Sequence, residues 1–248
     1  MSVKRNLLEV KNVTKKFGSL IAVNNASLHI SENEILGLIG PNGSGKSTML
    51  HAICGRNLPT SGEITLFDQE ITMKNPTARA AAGMAIKFQL ARIYLDKTVR
   101  ENILISLQAK ESFFKQIRSA TLKKHEEKIR ELATEFQLID YLHLPAKQLS
   151  HGQQQWLEIS MAVAVNPVLL LLDEPTAGMS PAERKETAVL IKKASQHAGI
   201  LIVEHDLDFI KELCDRISVM HYGEIVASGT PQEIESNPKV REVYLTRV

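Results

Sequence analysis

Residues 40–48 read GPNGSGKST, and each residue type there suits one part of an anion-binding task. The stretch fits G-x-x-x-x-G-K-[ST]. It follows the apolar run ILGLI and opens the helix-like KSTMLHAIC, the strand–loop–helix context this motif needs. Gly40, Gly43 and Gly45 let the loop of Gly40, Pro41, Asn42, Gly43, Ser44 and Gly45 turn tightly, so that successive N–H groups face inward on phosphate oxygens. A helix starting near Lys46 adds about half a positive charge at its N-terminus. Lys46 reaches the β- and γ-phosphates, the Ser47 hydroxyl is placed to bind Mg²⁺, and Thr48 contacts the α-phosphate. Alone, this cradle says only that a nucleotide binds; kinases, GTPases and ATPases remain open.

Residues 168–175, VLLLLDEP, narrow the choice. An apolar strand ends in two carboxylates, and in an open parallel sheet ligands sit beyond the carboxyl ends of the strands. Asp173 meets Mg²⁺ through its water shell. Glu174, one residue on, polarises an attacking water, a contribution of roughly 10²–10⁴ in rate. A polar turn after a strand is the plain alternative.

A second helix start follows the pattern LSHGQQQ at 149–155. Ser150 and Gln153 have capping-box spacing, so the helix is expected to run from Ser150 through Val165. Gly152 leaves first-turn N–H groups uncovered, which makes this a second place for an anion. The same spacing at Ser31 and Glu34 leads into a strand, so a cap with no ligand is the competing reading.

The elements that must hold these groups follow from hydrophobic periodicity. LLEVKNV and IAVNNASLHI alternate as strands, with turn signals at Phe17-Gly18 and Asn24-Asn25. GEITLFDQEIT and MAIKFQ read as further strands. From about 92 to 165 glycine vanishes until Gly152 and charge crowds in, as in an inserted helical lobe. Thr98 and Glu101 have capping-box spacing. Leu122, Ile129, Leu132, Ala133, Phe136 and Ile139 follow helical spacing, with KKHEEK as solvated surface. After 166, strands and helices alternate: VLLLL, a helix over 181–197, ILIV, a helix near 206–214, and RISVMHYGEIVASG as a hairpin. The expected class is α/β: a P-loop NTPase core of mostly parallel sheet, with an N-terminal antiparallel β subdomain and an inserted helical lobe. One domain spans 1–248, with the core at 1–91 and 166–248 and the lobe at 92–165.

Lys+Arg number 30 and Asp+Glu 28, a net charge of +2, too weak a bias to argue for nucleic acid. Cys54 and Cys214 read as buried, reduced thiols of a cytosolic protein. MSVKRNLLEV is not a signal peptide, and no apolar run approaches the ~18 residues that span a bilayer. Any link to a membrane is expected to go through another protein.

GPNGSGKST, FQ at 88–89, LSHGQ, LLLLDEP and VEHD occur in that order across nearly the whole chain. Together they resemble the nucleotide-binding subunit of an ABC transporter. The resemblance implies an ATPase using ATP and Mg²⁺, peripheral on the cytoplasmic face of the membrane through integral permease subunits. It implies a homodimer, or a heterodimer with a second ATP-binding subunit, in which Ser150, Gly152 and Gln153 cap the ATP of the other copy. By the same resemblance Gln89 senses the γ-phosphate and joins Ser47 and Asp173 at the metal, His205 contacts the γ-phosphate and orients Glu174, and Phe17 stacks on adenine. Core packing is the alternative for Phe17. His151 stands where the family has its first signature glycine, Trp156 where Arg is usual, and Ser180 where many members have Asp. DEPTAGM, KFQLARIYLDKTVRENI and NPKVREVYLTRV resemble the importers of branched-chain amino acids and urea, with LSHGQQQWLEI nearest the urea importer. An exporter or lipid-extraction ATPase is the alternative.

Overall fold

The computed structural model describes residues 5–87, 93–109 and 119–245, and they group into two compact units. The first comprises residues 1–86, 168–174 and 195–248. It carries two sheets. In one, β1 (Asn6–Phe17), β2 (Leu20–Ser31), β4 (Ser61–Leu66) and β5 (Gln69–Glu70) pair antiparallel in the order β2-β1-β4-β5. Burial along β2 alternates, as expected for a sheet with one face on the core. Gly18, at φ 59, turns β1 into β2 as the sequence suggests. Asn24-Asn25 does not reverse the chain. β2 runs straight through it, and Asn25 takes a left-handed conformation (φ 47) where the β1–β2 register shifts. Asparagine's tolerance of that conformation serves a bulge there as readily as a turn.

The second sheet has the order β10-β9-β3-β8-β7-β6. Its strands are β3 (Ile35–Ile39), β6 (Met84–Lys87), β7 (Leu169–Asp173), β8 (Gly199–Val203), β9 (Arg216–His221) and β10 (Glu224–Gly229). β3 pairs parallel with β8 and β9, β7 pairs parallel with β8, and β9–β10 is the expected hairpin. Every residue of β3, β7 and β8 is buried, which is why these strands are unbroken apolar runs rather than alternating ones.

Around the sheets lie α1 (Lys46–Cys54), α2 (Pro76–Ala81), α7 (Leu207–Leu213), α8 (Pro231–Ser236) and α9 (Pro238–Leu245). Both cysteines are free and buried, and burial pushes the Cys214 thiol pKa far up, so it stays protonated.

The second unit comprises residues 87–167 and 175–194. Its helices are α3 (Val99–Gln108), α4 (Ser119–Glu135), α5 (His151–Ala164) and α6 (Pro181–Ala194). Thr98 and Glu101 form the anticipated capping box at the start of α3. Ile129, Leu132, Ala133 and Phe136 are wholly buried. The stripe fails at its end: α4 stops at Glu135, Gln137 is left-handed (φ 56), and Leu138 is buried in place of Ile139. Within KKHEEK, expected to be solvated, His125 is only 5% exposed, because it falls on the apolar side of the turn.

Candidate active site

The cradle is built as its residue types require. Gly45 is the N-cap of α1 at φ 107, with no side chain capping the helix. A Cβ there would run into the Ala22 carbonyl oxygen. The first-turn N–H groups of α1 are thereby left to a ligand. Ser44 is 2% exposed, and its Oγ has no hydrogen-bond partner. An orphaned buried hydroxyl in a loop of inward N–H groups fits a phosphate ligand. Lys46 is buried, and its Nζ donates to the carbonyls of Gly40 (2.7 Å) and Pro41 (3.0 Å). The cradle's own backbone thus aims the ammonium before any phosphate arrives.

Two features behind the cradle were not legible in its motif. Arg79 is wholly buried, and its guanidinium donates to Ala52 O (2.6 Å), Ile53 O (2.5 Å), Thr72 O (2.7 Å) and Lys74 O (2.8 Å). Ala52 and Ile53 lie in the last turn of α1, whose carbonyls lack helical partners. Burial lowers the Arg79 pKa, yet the group stays charged and caps the end of the cradle helix. In the sequence, Arg79 is one charge among the polar residues of α2 and gives no signal. The β9–β10 turn is also tied to the cradle, with Gly223 N donating to Ser44 O at 2.8 Å.

The carboxylates end β7 as expected. Asp173 is its last residue and is 6% exposed. Glu174 follows in a left-handed conformation (φ 45), its N–H donating to Val203 O at 2.9 Å. A non-glycine residue held at positive φ stores strain of the order of 1–3 kcal/mol, which the neighbouring strand sustains. His205 follows β8, and its Nδ1 lies 3.8 Å from Glu174 Oε1 and 3.6 Å from Glu204 Oε2. Glu204 is 1% exposed, whereas His205 is well exposed. One imidazole therefore stands between a buried carboxylate and the candidate water-polarising one.

A cavity of about 640 Å³ joins these groups, lined by Asn42, Gly43, Gly45, Lys46, Ser47, Thr48 and Glu174, and by Leu20, Ile21, Ala22, Tyr222 and Gly223. Phe17 does not line it. Its ring is 46% exposed and has the Lys15 ammonium 5.1 Å from its centre. Gln89 lies outside the described residues. Ser47 and Asp173 offer hard oxygen donors of the kind Mg²⁺ takes. The metal would neutralise charge on the phosphates there.

In the second unit, Ser150 is the N-cap of α5. Its Oγ accepts from Gln153 N (3.2 Å), and Gln153 Oε1 accepts from Ser150 N (2.9 Å). His151 Nε2 lies 3.0 Å from Ala177 O. Ser180 and Glu183 form a capping box on α6, with Ser180 N donating to Glu183 Oε2 at 2.9 Å and Glu183 N donating to Ser180 Oγ at 3.3 Å. Glu183 also covers Gly152, where a Cβ would strike its carboxylate. Hydrogen bonds from the Ser180 backbone and hydroxyl, and from Ser150, hold the Glu183 pKa below the usual carboxylate range. Trp156 is buried and donates from Nε1 to Thr187 Oγ1 at 2.8 Å, tying α5 to α6.

Comparison with known proteins agrees with this chemistry. Residues 23–177 match the ABC transporter family, and residues 224–245 match the family described as branched-chain amino acid ATP-binding cassette transporter. The chain belongs to the ABC transporter ATP-binding family. It is therefore an ATPase. The cassette is 37% identical over 248 residues to the high-affinity branched-chain amino acid transport ATP-binding protein LivG of Salmonella typhimurium, covering 96% of this chain and 97% of that one. It is 32% identical over 241 residues to the lipopolysaccharide export system ATP-binding protein LptB of Haemophilus influenzae, covering 97% of each. The ADP conformation of MJ1267, an ATP-binding cassette of an ABC transporter, superposes with a TM-score of 0.84 at 29% identity, covering 97% of this chain and 99% of that one. Subunits of this family work with membrane permease subunits. No helix among the described residues is long and apolar enough to cross a membrane.

Proposed function

We propose that this cassette hydrolyses Mg-ATP to power uptake of branched-chain amino acids or a related small solute such as urea, bound to two permease subunits on the cytoplasmic face of the membrane. The observation that carries the solute class is the match of residues 224–245 to a family specific to branched-chain amino acid transport, beyond the general ABC match. The 37% identity to LivG, against 32% to an export ATPase, supports the same direction of transport.

The chemistry follows from the cradle. Lys46 and the open N–H groups of α1 hold the triphosphate, and Ser47 and Asp173 would hold Mg²⁺. Glu174 orients a water for in-line attack on the γ-phosphorus. The bond from that phosphorus to the bridging oxygen breaks, leaving ADP and inorganic phosphate. His205 contacts the γ-phosphate and fixes the Glu174 carboxylate. Ser150, Gly152 and Gln153 close on the nucleotide of a second copy, so turnover requires a dimer.

Co-expression with two permease subunits and the solute-binding protein of a branched-chain amino acid or urea transporter tests the reading. ATP hydrolysis in proteoliposomes should rise with leucine- or urea-loaded binding protein. Stimulation by a lipid or an exported substrate, and by neither solute, would overturn the import assignment.

A further inference from the structure

The stretch VEHD at 203–206 contains one carboxylate that the phosphate chemistry leaves unused, Glu204. It follows β8, every residue of which is buried, and is itself 1% exposed. Its N–H donates to Leu38 O at 3.3 Å, so pairing with β3 continues one residue past the end of β8. On the other side β7 ends at the same level, with Asp173 opposite Val203. Glu204 is thus buried between the strand that leads into the cradle and the strand that carries Asp173 and Glu174. A valine would continue the apolar run there, whereas a buried carboxylate is costly unless hydrogen bonds and neighbouring charge offset it.

The geometry shows what Glu204 faces. Its Oε2 accepts the His205 N–H at 3.1 Å and stands 3.6 Å from His205 Nδ1. Glu174 Oε1 stands 3.8 Å from the same nitrogen. Both carboxylates therefore address Nδ1, which leaves Nε2 of the exposed ring for a ligand. The chain is also fixed beyond the ring: Asp206 caps α7, its Oδ1 accepting from Asp208 N and Phe209 N at 3.1 Å each. A carboxylate held against one imidazole nitrogen fixes the orientation of the ring and the use of the other nitrogen. Such hydrogen bonds are often long without substrate and tighten when it binds. Glu174 has a water to polarise; Glu204, shut away from solvent, is suited to hold the ring.

We infer that Glu204 is a positioning residue for hydrolysis: it hydrogen-bonds Nδ1 of His205 and thereby turns Nε2, as a donor, toward the γ-phosphate. The inference rests on the role proposed above for His205 and deepens it. Glu204 acts through His205, so its loss should slow turnover and spare nucleotide binding.

The test is a double-mutant cycle on the full chain assembled with permease subunits, with kcat and KM for Mg-ATP read from hydrolysis and melting temperature as the fold control. Glu204→Val should lower kcat by roughly tenfold to a hundredfold, the loss typical of a group that orients a functional histidine, with KM unchanged. In a His205→Ala background the same substitution should cost nothing further. Glu204→Gln keeps hydrogen-bonding atoms at the same reach and should recover most of the wild-type rate. Wild-type kcat in Glu204→Val, or an equal loss with and without His205, would overturn the inference. Should Glu204→Val not fold, Glu204→Asp and Glu204→Gln decide: aspartate keeps the charge but falls one methylene short, so it should be the slower of the two, and the reverse ranking would overturn the inference. Wild-type turnover in His205→Ala would remove the role of His205 and the inference with it, whereas a slow His205→Ala beside an unimpaired Glu204→Val would remove the inference alone.

Discussion

Two helix starts in this chain are suited to anions, and they are finished in opposite ways. α1 begins at a left-handed glycine with no side-chain cap and no acidic residue in its first turn. α5 begins with a complete capping box from Ser150 and Gln153, and the Glu183 carboxylate lies over its Gly152. Open donors need a ligand to satisfy them, whereas capped donors are already satisfied. The first start is thus ready for phosphate in a single chain. To serve the proposed site on a second copy, the second start would have to exchange its own partners for a phosphate.

The sharpest way to break this contrast is to remove catalysis without touching either start. Glu174→Gln should lower the hydrolysis rate by roughly 10²–10⁴ with ATP affinity retained, and dimer should accumulate in ATP. Light scattering that finds monomer alone under saturating Mg-ATP would refute the two-copy site. Next, Lys46→Ala should weaken ATP by roughly tenfold to a hundredfold, the value of a charge-assisted hydrogen bond; titration calorimetry reads it directly.

A matched glycine pair then compares the starts themselves. Gly45→Ala puts a Cβ against the Ala22 backbone at φ 107 and should cost more than about 2 kcal/mol in stability, along with nucleotide binding. Gly152→Ala meets only the end of the flexible Glu183 side chain, so the fold should survive and monomer ATP binding should hold. Its ATP-dependent dimer should be lost. Equal damage from both substitutions would erase the distinction.

The smallest effect concerns acid. The Glu183 pKa is lowered in the fold, so the folded state binds fewer protons than the unfolded one near that pKa. Its stabilising contribution is present above the unfolded carboxylate value and lost as pH falls through the folded value. Glu183→Gln should therefore flatten the fall of melting temperature between about pH 5 and 3, where carboxylates titrate. No acidic group caps α1, so Lys46→Ala should leave that slope alone.

Much of the scaffold was legible because its signals are local. Unbroken apolar runs marked β3, β7 and β8, and side-chain spacing marked the caps at Thr98 and Ser150. The misreadings came where a local signal has two structural outcomes. Asn25 can turn a chain or bulge a strand. His125 lies in a charged run and still packs inward, because burial depends on helix phase rather than on the neighbours in sequence.

The sequence alone determined the phosphate cradle, the paired carboxylates and the order of the motifs, since strand–loop–helix spacing suffices to aim backbone N–H groups. Only the tertiary structure decided what surrounds them. Arg79 caps α1 from 26 and 27 residues away, and Glu183 covers Gly152 across the α5–α6 pair. Those contacts join residues distant in sequence, and their partners are chosen by how the sheets and helices pack.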